Sequence, residues 1–197
     1  MLSRRARATR ALVGLALVAL YVVALGTQAG RHLDAVPVET DVGKGPVVLT
    51  LQRLLDPIDW LTIGAASVAL LLWTLRRHGA RCASRMSVAM IGTYVSLLGL
   101  GLLFDRIDPL GGEALRRLGP SSYPSGHAAV VAAVALAAVA VAPRPARPLA
   151  GALAAIVVAT VGVALVVIHA HYPSDVLGGW LLALLWAVGP SSSRWSS

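Results

Sequence analysis

The sequence predicts an all-α protein whose six transmembrane helices form a single membrane domain over residues 1–197. Of its 197 residues, 57% are hydrophobic and only 13% are charged, and the mean hydropathy is +0.75. Apolar runs of roughly 20 residues, the length that crosses the hydrocarbon core, recur along the chain. A water-soluble domain cannot bury this much apolar surface, so the bilayer is the expected solvent.

Six apolar segments predict the spans, at about residues 11–29, 60–75, 86–104, 124–142, 149–170 and 176–188. Residues 30–59 are expected to form an outer loop with a short interfacial helix, because Val47, Leu51, Leu54 and neighbouring apolar residues repeat at helical spacing. Residues 105–123 are expected to form a second outer loop. A cleaved signal peptide stays an alternative for the first segment, although its apolar run exceeds the usual signal core of about 7–15 residues.

The distribution of charge predicts the orientation. With the amino terminus in the cytoplasm, eleven of the 17 basic residues fall inside and six outside, and all nine acidic residues fall outside. This arrangement satisfies the positive-inside rule and puts both termini in the cytoplasm. The arginines stand in short clusters between apolar runs, which indicates topology signals rather than a nucleic-acid-binding face.

The segment Pro124-Ser125-Gly126-His127 lies where a polar loop meets the fourth predicted span. Proline suits a first helical turn, and the following N–H groups of Ser125, Gly126 and His127 would be unpaired donors at a helix N-terminus. Glycine would let a ligand approach closely. The segment therefore predicts an anion-binding cradle, with an ordinary helix start as the alternative.

The segment from His171 to Asp175 lies between the fifth and sixth predicted spans. A carboxylate near a histidine can hold the proton on one ring nitrogen and leave the other as nucleophile or base. The alternative is a helix cap with a histidine nearby. His171 follows His127 by 44 positions. That separation fits one helix down and one back, so both motifs are expected at one outer site.

These motifs and the six-span layout resemble the type 2 phosphatidic acid phosphatase superfamily, a family of membrane lipid phosphate phosphatases. The resemblance implies that His171 is the nucleophile, Asp175 orients it, and His127 protonates the leaving oxygen. It implies that Ser125 and Gly126 hold phosphate oxygens, that no metal or cofactor is needed, and that the partner is a membrane lipid phosphate. The implied function is phosphatase activity at the extracytoplasmic face through a phosphohistidine.

Basic residues of the family pattern are missing here. Gly101 and Asp108 stand where its first motif has Lys and Arg, and Ala164 and Leu165 stand where its third motif begins Ser-Arg. Losing one such contact typically slows an enzyme by about a hundredfold or more. The candidate substitutes, all in the second outer loop, are Arg106, Arg116 and Arg117, with lipid-headgroup binding as the alternative for them.

Three hypotheses follow. The first is a lipid phosphatase, and the second is a protein of the same fold that binds lipid phosphate or a partner without turnover. The third is an unrelated metal-binding or cofactor-binding membrane protein that uses His127, His169, His171 and Asp175. On a regular helix His169 would point away from His171, which favours a structural role for it.

Overall fold

The computed structural model describes residues 4–39, 45–103 and 123–188, and these form eight α-helices and one short 3₁₀ turn without any β-strand. The helices are α1 (Arg4–Ala24), α2 (Gln28–Glu39), α3 (Pro46–Leu55), α4 (Trp60–His78), α5 (Ala80–Leu103), α6 (Gly126–Val141), α7 (Arg147–Val167) and α8 (Pro173–Ala187), and the 3₁₀ turn covers Arg144–Ala146.

Three helical segments of the described chain are long and apolar enough to cross a membrane: Arg4–Ala24, Ala80–Leu100 and Arg144–Val167. A fourth results if α3 and α4, which are bent by 47° at their junction, are counted as one span. Helices α6 and α8 are apolar but have only 16 and 15 residues. The predicted all-α membrane fold is confirmed, whereas the number of six spans stays a prediction.

The amino-terminal region differs from the expectation of a span over 11–29 followed by a loop. Helix α1 covers Arg4–Ala24 and so includes the arginines before the apolar run, since arginine is a good helix former. A sharp turn follows, in which the Gly30 N–H donates to the Thr27 hydroxyl at 2.9 Å. Thr27 thus caps a second helix, α2, inside the segment that was expected to be a loop. Helix α3 lies where the sequence predicts an interfacial helix.

The arginine-rich segment 76–85 is also more helical than expected. Helices α4 and α5 meet at Gly79, which has a φ of +82° and so suits glycine. Arg77 and Arg81 therefore lie on helical turns rather than in a loop. The polar ends of both helices extend beyond the predicted apolar spans.

Helices α6 and α8 form the centre of the bundle. Helix α6 contacts α4, α5, α7 and α8, and α8 also contacts α1 and α5. Buried alanines of α6 let the backbones approach closely. At Gly179 of α8 an added Cβ would lie 2.7 Å from the Ser125 carbonyl oxygen. The beginnings of α6 and α8, which carry the two sequence motifs, are consequently packed side by side.

Candidate active site

Ser125 is the N-cap of α6, which begins at Gly126 rather than at Pro124 as predicted. The fully buried Ser125 hydroxyl accepts the Ala128 N–H at 3.4 Å. The main-chain N–H of Ser125 donates to the main-chain oxygen of Asp175 at 2.8 Å. The expectation of a free Ser125 N–H is therefore wrong, because that donor joins the two motifs to each other. Any contact between Ser125 and a phosphate would have to come from its hydroxyl.

Gly126 and His127 both lie beside Trp60, the first residue of α4. A Cβ added to Gly126 would lie 3.1 Å from the Trp60 ring, so the space left by this glycine accommodates the indole. The expectation that Gly126 leaves open space for a ligand is not met on that side. The His127 imidazole packs against the same indole, with 4.9 Å between ring centroids. Trp60 thus fixes the position of His127.

The His171–Asp175 pair lies at the start of α8. Asp175 is fully buried, and its Oδ2 accepts the Tyr172 N–H at 3.0 Å. His171 Nδ1 is 3.7 Å from the same oxygen, which is too long for a hydrogen bond but leaves the ring directed at the carboxylate. Hydrogen bonds between catalytic groups often reach their final length only when substrate binds. The predicted juxtaposition of these two residues is present.

His127 and His171 line one cavity of about 560 Å³. Its apolar wall comes from α3, α7 and the segments that follow them, and includes Leu55, Ile58 and Val161. The end of α3 adds Gln52 and Arg53, and Asp56 follows that helix. Both predicted motif histidines therefore meet at one partly polar cavity.

Arg53 was not among the residues that the sequence singled out as a phosphate contact. It lies in the last turn of α3, and Leu55 and Ile58 beside it pack against the apolar cluster of Val161 and Leu165 on α7. This packing holds α3 over the cavity. The amphipathic pattern of residues 46–55 signals a helix, but periodicity alone does not say which part of the bundle that helix covers.

Asp34 of α2 is a second residue that sequence reasoning missed. Asp34 is buried, and its carboxylate accepts hydrogen bonds from the Ser174 N–H at 2.9 Å and from the Ser174 hydroxyl at 2.5 Å. Asp34 thus binds the first turn of α8, next to Asp175. An acidic residue between the apolar Leu33 and Ala35 was the available signal for a buried carboxylate.

The family pattern has basic residues at certain positions, and the structure shows no positive charge at those of them that it describes. Ala164 and Leu165 are buried on α7, and Leu165 itself lines the cavity. The predicted substitutes Arg106, Arg116 and Arg117 lie outside the described residues, so their role stays a prediction. Arg53 is accordingly the arginine that the described chain brings to this cavity.

His169 lies in the turn after α7 with a φ of +59°, and it does not line the cavity. Within residues 4–39, 45–103 and 123–188, no three His, Cys, Asp or Glu side chains are grouped so that they could hold a metal ion. The four ligands of the metal hypothesis, His127, His169, His171 and Asp175, thus do not form such a group.

Residues 106–195 match the PAP2 superfamily, a segment that contains both histidine motifs. No curated protein matches the sequence significantly. The fold is similar to the crystal structure of the first transmembrane PAP2 type phosphatidylglycerolphosphate phosphatase from Bacillus subtilis, with a TM-score of 0.71 and 19% sequence identity. The alignment covers 90% of this chain and 91% of that one. The resemblance seen in the sequence is therefore confirmed, since the part of the chain that carries both motifs matches the PAP2 superfamily.

Proposed function

We propose that this protein is a lipid phosphatase that removes phosphate from a phosphate monoester or diphosphate of a membrane lipid at the extracytoplasmic face. The observation that carries the proposal is the cavity shared by His127 and His171, with the buried Asp175 behind His171. A nucleophile, its orienting carboxylate and a second histidine are the groups that phosphoryl transfer through a covalent intermediate requires.

The proposed first step follows from which nitrogen faces Asp175. With Nδ1 directed at that carboxylate, Nε2 of His171 is the nitrogen that attacks phosphorus. A bond forms between Nε2 and phosphorus while the bond from phosphorus to the lipid oxygen breaks. The electron pair leaves with that oxygen, which takes a proton from protonated His127.

In the second step water attacks the phosphohistidine. His127, now neutral, accepts a proton from the water, the bond between nitrogen and phosphorus breaks, and inorganic phosphate leaves. His171 and His127 return to their starting states, so no other reactant is consumed. The Trp60 ring against His127 keeps that imidazole in place through both proton transfers.

Transfer of a phosphoryl group leaves negative charge on its equatorial oxygens, and this charge requires a donor set. We propose that the Arg53 guanidinium, together with the N–H groups of Gly126 and His127 at the start of α6, supplies it. A guanidinium can bind two phosphate oxygens at once. Arg106, Arg116 and Arg117 remain proposed contacts of the same kind.

A second candidate function is lipid-phosphate binding without turnover. It is favoured by Leu165, which presents an apolar side chain to the cavity at a position where the family pattern has arginine. The two candidates differ in one measurable respect, since only the first releases phosphate.

The test is release of inorganic phosphate by purified protein from a panel of lipids, with and without a chelator. Phosphatidylglycerol phosphate comes first, because the structurally similar Bacillus subtilis protein is described as acting on it. Phosphatidic acid, undecaprenyl diphosphate and decaprenyl-linked sugar phosphates complete the panel. We expect turnover that the chelator leaves unchanged, and loss of about a thousandfold or more in His171→Ala.

Trapping of labelled phosphate on the protein separates the roles of the two histidines. His171→Ala should trap none, whereas His127→Ala should still accept phosphate from a substrate with a good leaving group, since such a group departs without a proton. His78→Ala, an exposed histidine at the end of α4, is the matched control and should behave as wild type. Wild-type protein that binds these lipids but hydrolyses none of them would favour the second candidate.

A further inference from the structure

A second cavity, of about 290 Å³, lies at the opposite end of the bundle from the histidine pair. It is lined by Arg10 of α1, the amino-terminal half of α5, and the carboxy-terminal halves of α6 and α8. Trp186 in its wall follows Asp175 by 11 positions on α8, which separates the two sites by about 17 Å at 1.5 Å per residue. The two cavities are therefore distinct.

Two contacts hold Arg10 in position at this cavity, and a third holds the indole against which it packs. Its Nε donates to the Leu185 carbonyl oxygen at 3.1 Å, and its guanidinium carbon lies 5.5 Å from the centre of the Trp186 ring. The Trp186 indole N–H in turn donates to the Ser96 hydroxyl at 3.0 Å. At Gly92 an added Cβ would lie 2.4 Å from that indole, so glycine makes room for it. The two terminal amino groups of Arg10 remain for a ligand.

Arg85 of α5 lines the same cavity and is half-buried. The structure gives its guanidinium no hydrogen bond or ion pair with any described residue. The sequence has no Asp or Glu in residues 1–33, 60–104, 124–174 or 176–197, which include every segment that forms this cavity. Positive charge that is partly withdrawn from water and lacks a carboxylate nearby favours an external anion.

We propose that this cavity binds the phosphate of an anionic membrane phospholipid between Arg10 and Arg85. Arginine binds phosphate oxygens with two parallel hydrogen bonds, and a guanidinium already fixed in place loses little conformational freedom on binding. The remaining walls are largely apolar and include Val88, Leu136 and Ala137. Those walls fit the hydrocarbon part of a lipid, which free phosphate does not have.

The test measures thermal unfolding of the full-length protein in neutral detergent during titration with phosphatidylglycerol. A ligand that binds only the folded state raises the Tm, and we expect a rise of several degrees. Phosphatidylcholine, which has no net charge, and inorganic phosphate serve as comparison ligands and should each give little change. An equal rise with inorganic phosphate would overturn the assignment to a lipid.

Two variants test the site itself. Arg85→Gln and Arg10→Gln should each raise the lipid concentration for half of the Tm shift by about tenfold, as expected for loss of one charge-assisted contact. Arg81→Gln is the matched control, because Arg81 is exposed one turn before Arg85 and does not line the cavity. Unchanged titration in Arg85→Gln, which loses no hydrogen bond within the described structure and is expected to fold, would refute the site. The readout requires no phosphate release, so it is independent of the proposed catalytic function.

Discussion

Arg53 shows how a single charged residue can change the interpretation of an incomplete motif. Leu165 leaves the cavity wall of α7 without charge, and Arg53 approaches the same cavity from α3. A guanidinium positioned beside the transferred group would stabilise the negative charge that develops on the phosphoryl oxygens. The side chain that provides this charge need not come from the helix on which the family pattern has it.

Arg53→Ala should lower turnover by about a hundredfold, because a charge-stabilising contact to the phosphoryl group is lost. Arg53→Lys should restore only part of the rate, since an ammonium group cannot make the planar two-pronged contact. The measurement is kcat and KM on the substrate that the lipid panel identifies.

The control for Arg53 is Arg77→Ala, an exposed arginine in the last turn of α4 at the other end of the bundle. It removes the same charge but should leave kcat unchanged. If Arg53→Ala retains wild-type kcat at saturating substrate, the charge comes from elsewhere, and Arg106, Arg116 and Arg117 become the next residues to substitute.

The sequence predicted which residues form the two motifs better than it predicted the hydrogen bonds that these residues make. The pairing of His171 with Asp175 could be predicted because the two residues stand only four positions apart, on either side of the proline that opens α8. The use of the Ser125 N–H could not be predicted, since its acceptor is the main-chain oxygen of Asp175, 50 positions away. Contacts of a main-chain donor with a distant segment leave no pattern in side-chain types.

At the scale of helices, the contact between α6 and α8 determines the geometry of the site. Gly179 is buried there, and backbone atoms of α6 and its N-cap leave no room for a side chain at this position. Backbone atoms move less easily than the end of a flexible side chain, so the position requires glycine. The close approach brings the Ser125 N–H within hydrogen-bonding distance of Asp175. Separation of these two helices would therefore change both motifs together.

Gly179→Ala should destabilise the protein by at least about 2 kcal/mol, because the new methyl group would lie 2.7 Å from the Ser125 oxygen and 2.9 Å from the Ala129 nitrogen. The matched control is Gly64→Ala on α4, where an added Cβ meets nothing within 4 Å. That substitution should be neutral or slightly stabilising, since alanine favours a helix over glycine. Thermal unfolding in detergent measures both, and equal Tm values for the two variants would contradict the importance of this contact.

Most helices could be predicted from apolar runs, but their ends and α2 could not. The run that defines α4 ends at Leu75, whereas the helix continues through the basic residues to His78, because hydropathy reports the membrane and not the hydrogen bonds of the backbone. Helix α2 mixes basic, acidic and apolar residues with a proline at position 37, which reads as a loop. Its helical state is stabilised by tertiary contacts such as the one from Asp34 to Ser174.

At the scale of the whole molecule, the chain is polarised along the bundle axis. The histidine cavity lies where α6 and α8 begin, and the arginine pair Arg10 and Arg85 lies where α8 ends and α5 begins. Among the described acidic residues, Asp34, Asp56 and Asp175 lie at the end of the bundle that carries the histidine cavity. The assignment of that side to the exterior is a prediction from the positive-inside rule.

An impermeant thiol reagent tests this orientation in sealed cells. The native Cys82, near the start of α5, should remain unlabelled until the membrane is permeabilised. A cysteine introduced at the exposed His32 of α2, in a Cys82→Ser background, should be labelled in intact cells. Labelling in permeabilised cells provides the control that each thiol is accessible. Labelling of Cys82 in intact cells would reverse the orientation and would move the histidine cavity to the cytoplasmic face.

The hydrogen bond from the Ser125 N–H to the Asp175 oxygen has a consequence for how a bulky substrate reaches the histidines. It joins the start of α6 to the start of α8, so we expect His127 and His171 to keep their separation when neighbouring helices move. Helix α3 forms the facing side and rests on α7 through Leu55 and Ile58. Apolar contacts are non-directional, so α3 can shift on α7 without leaving a buried polar group unpaired, whereas separation of α6 from α8 would leave the Ser125 N–H without its acceptor. We therefore expect a lipid headgroup to enter by displacing α3. Arg53, which lies on α3, would move away as the headgroup enters and would contact it once α3 returns.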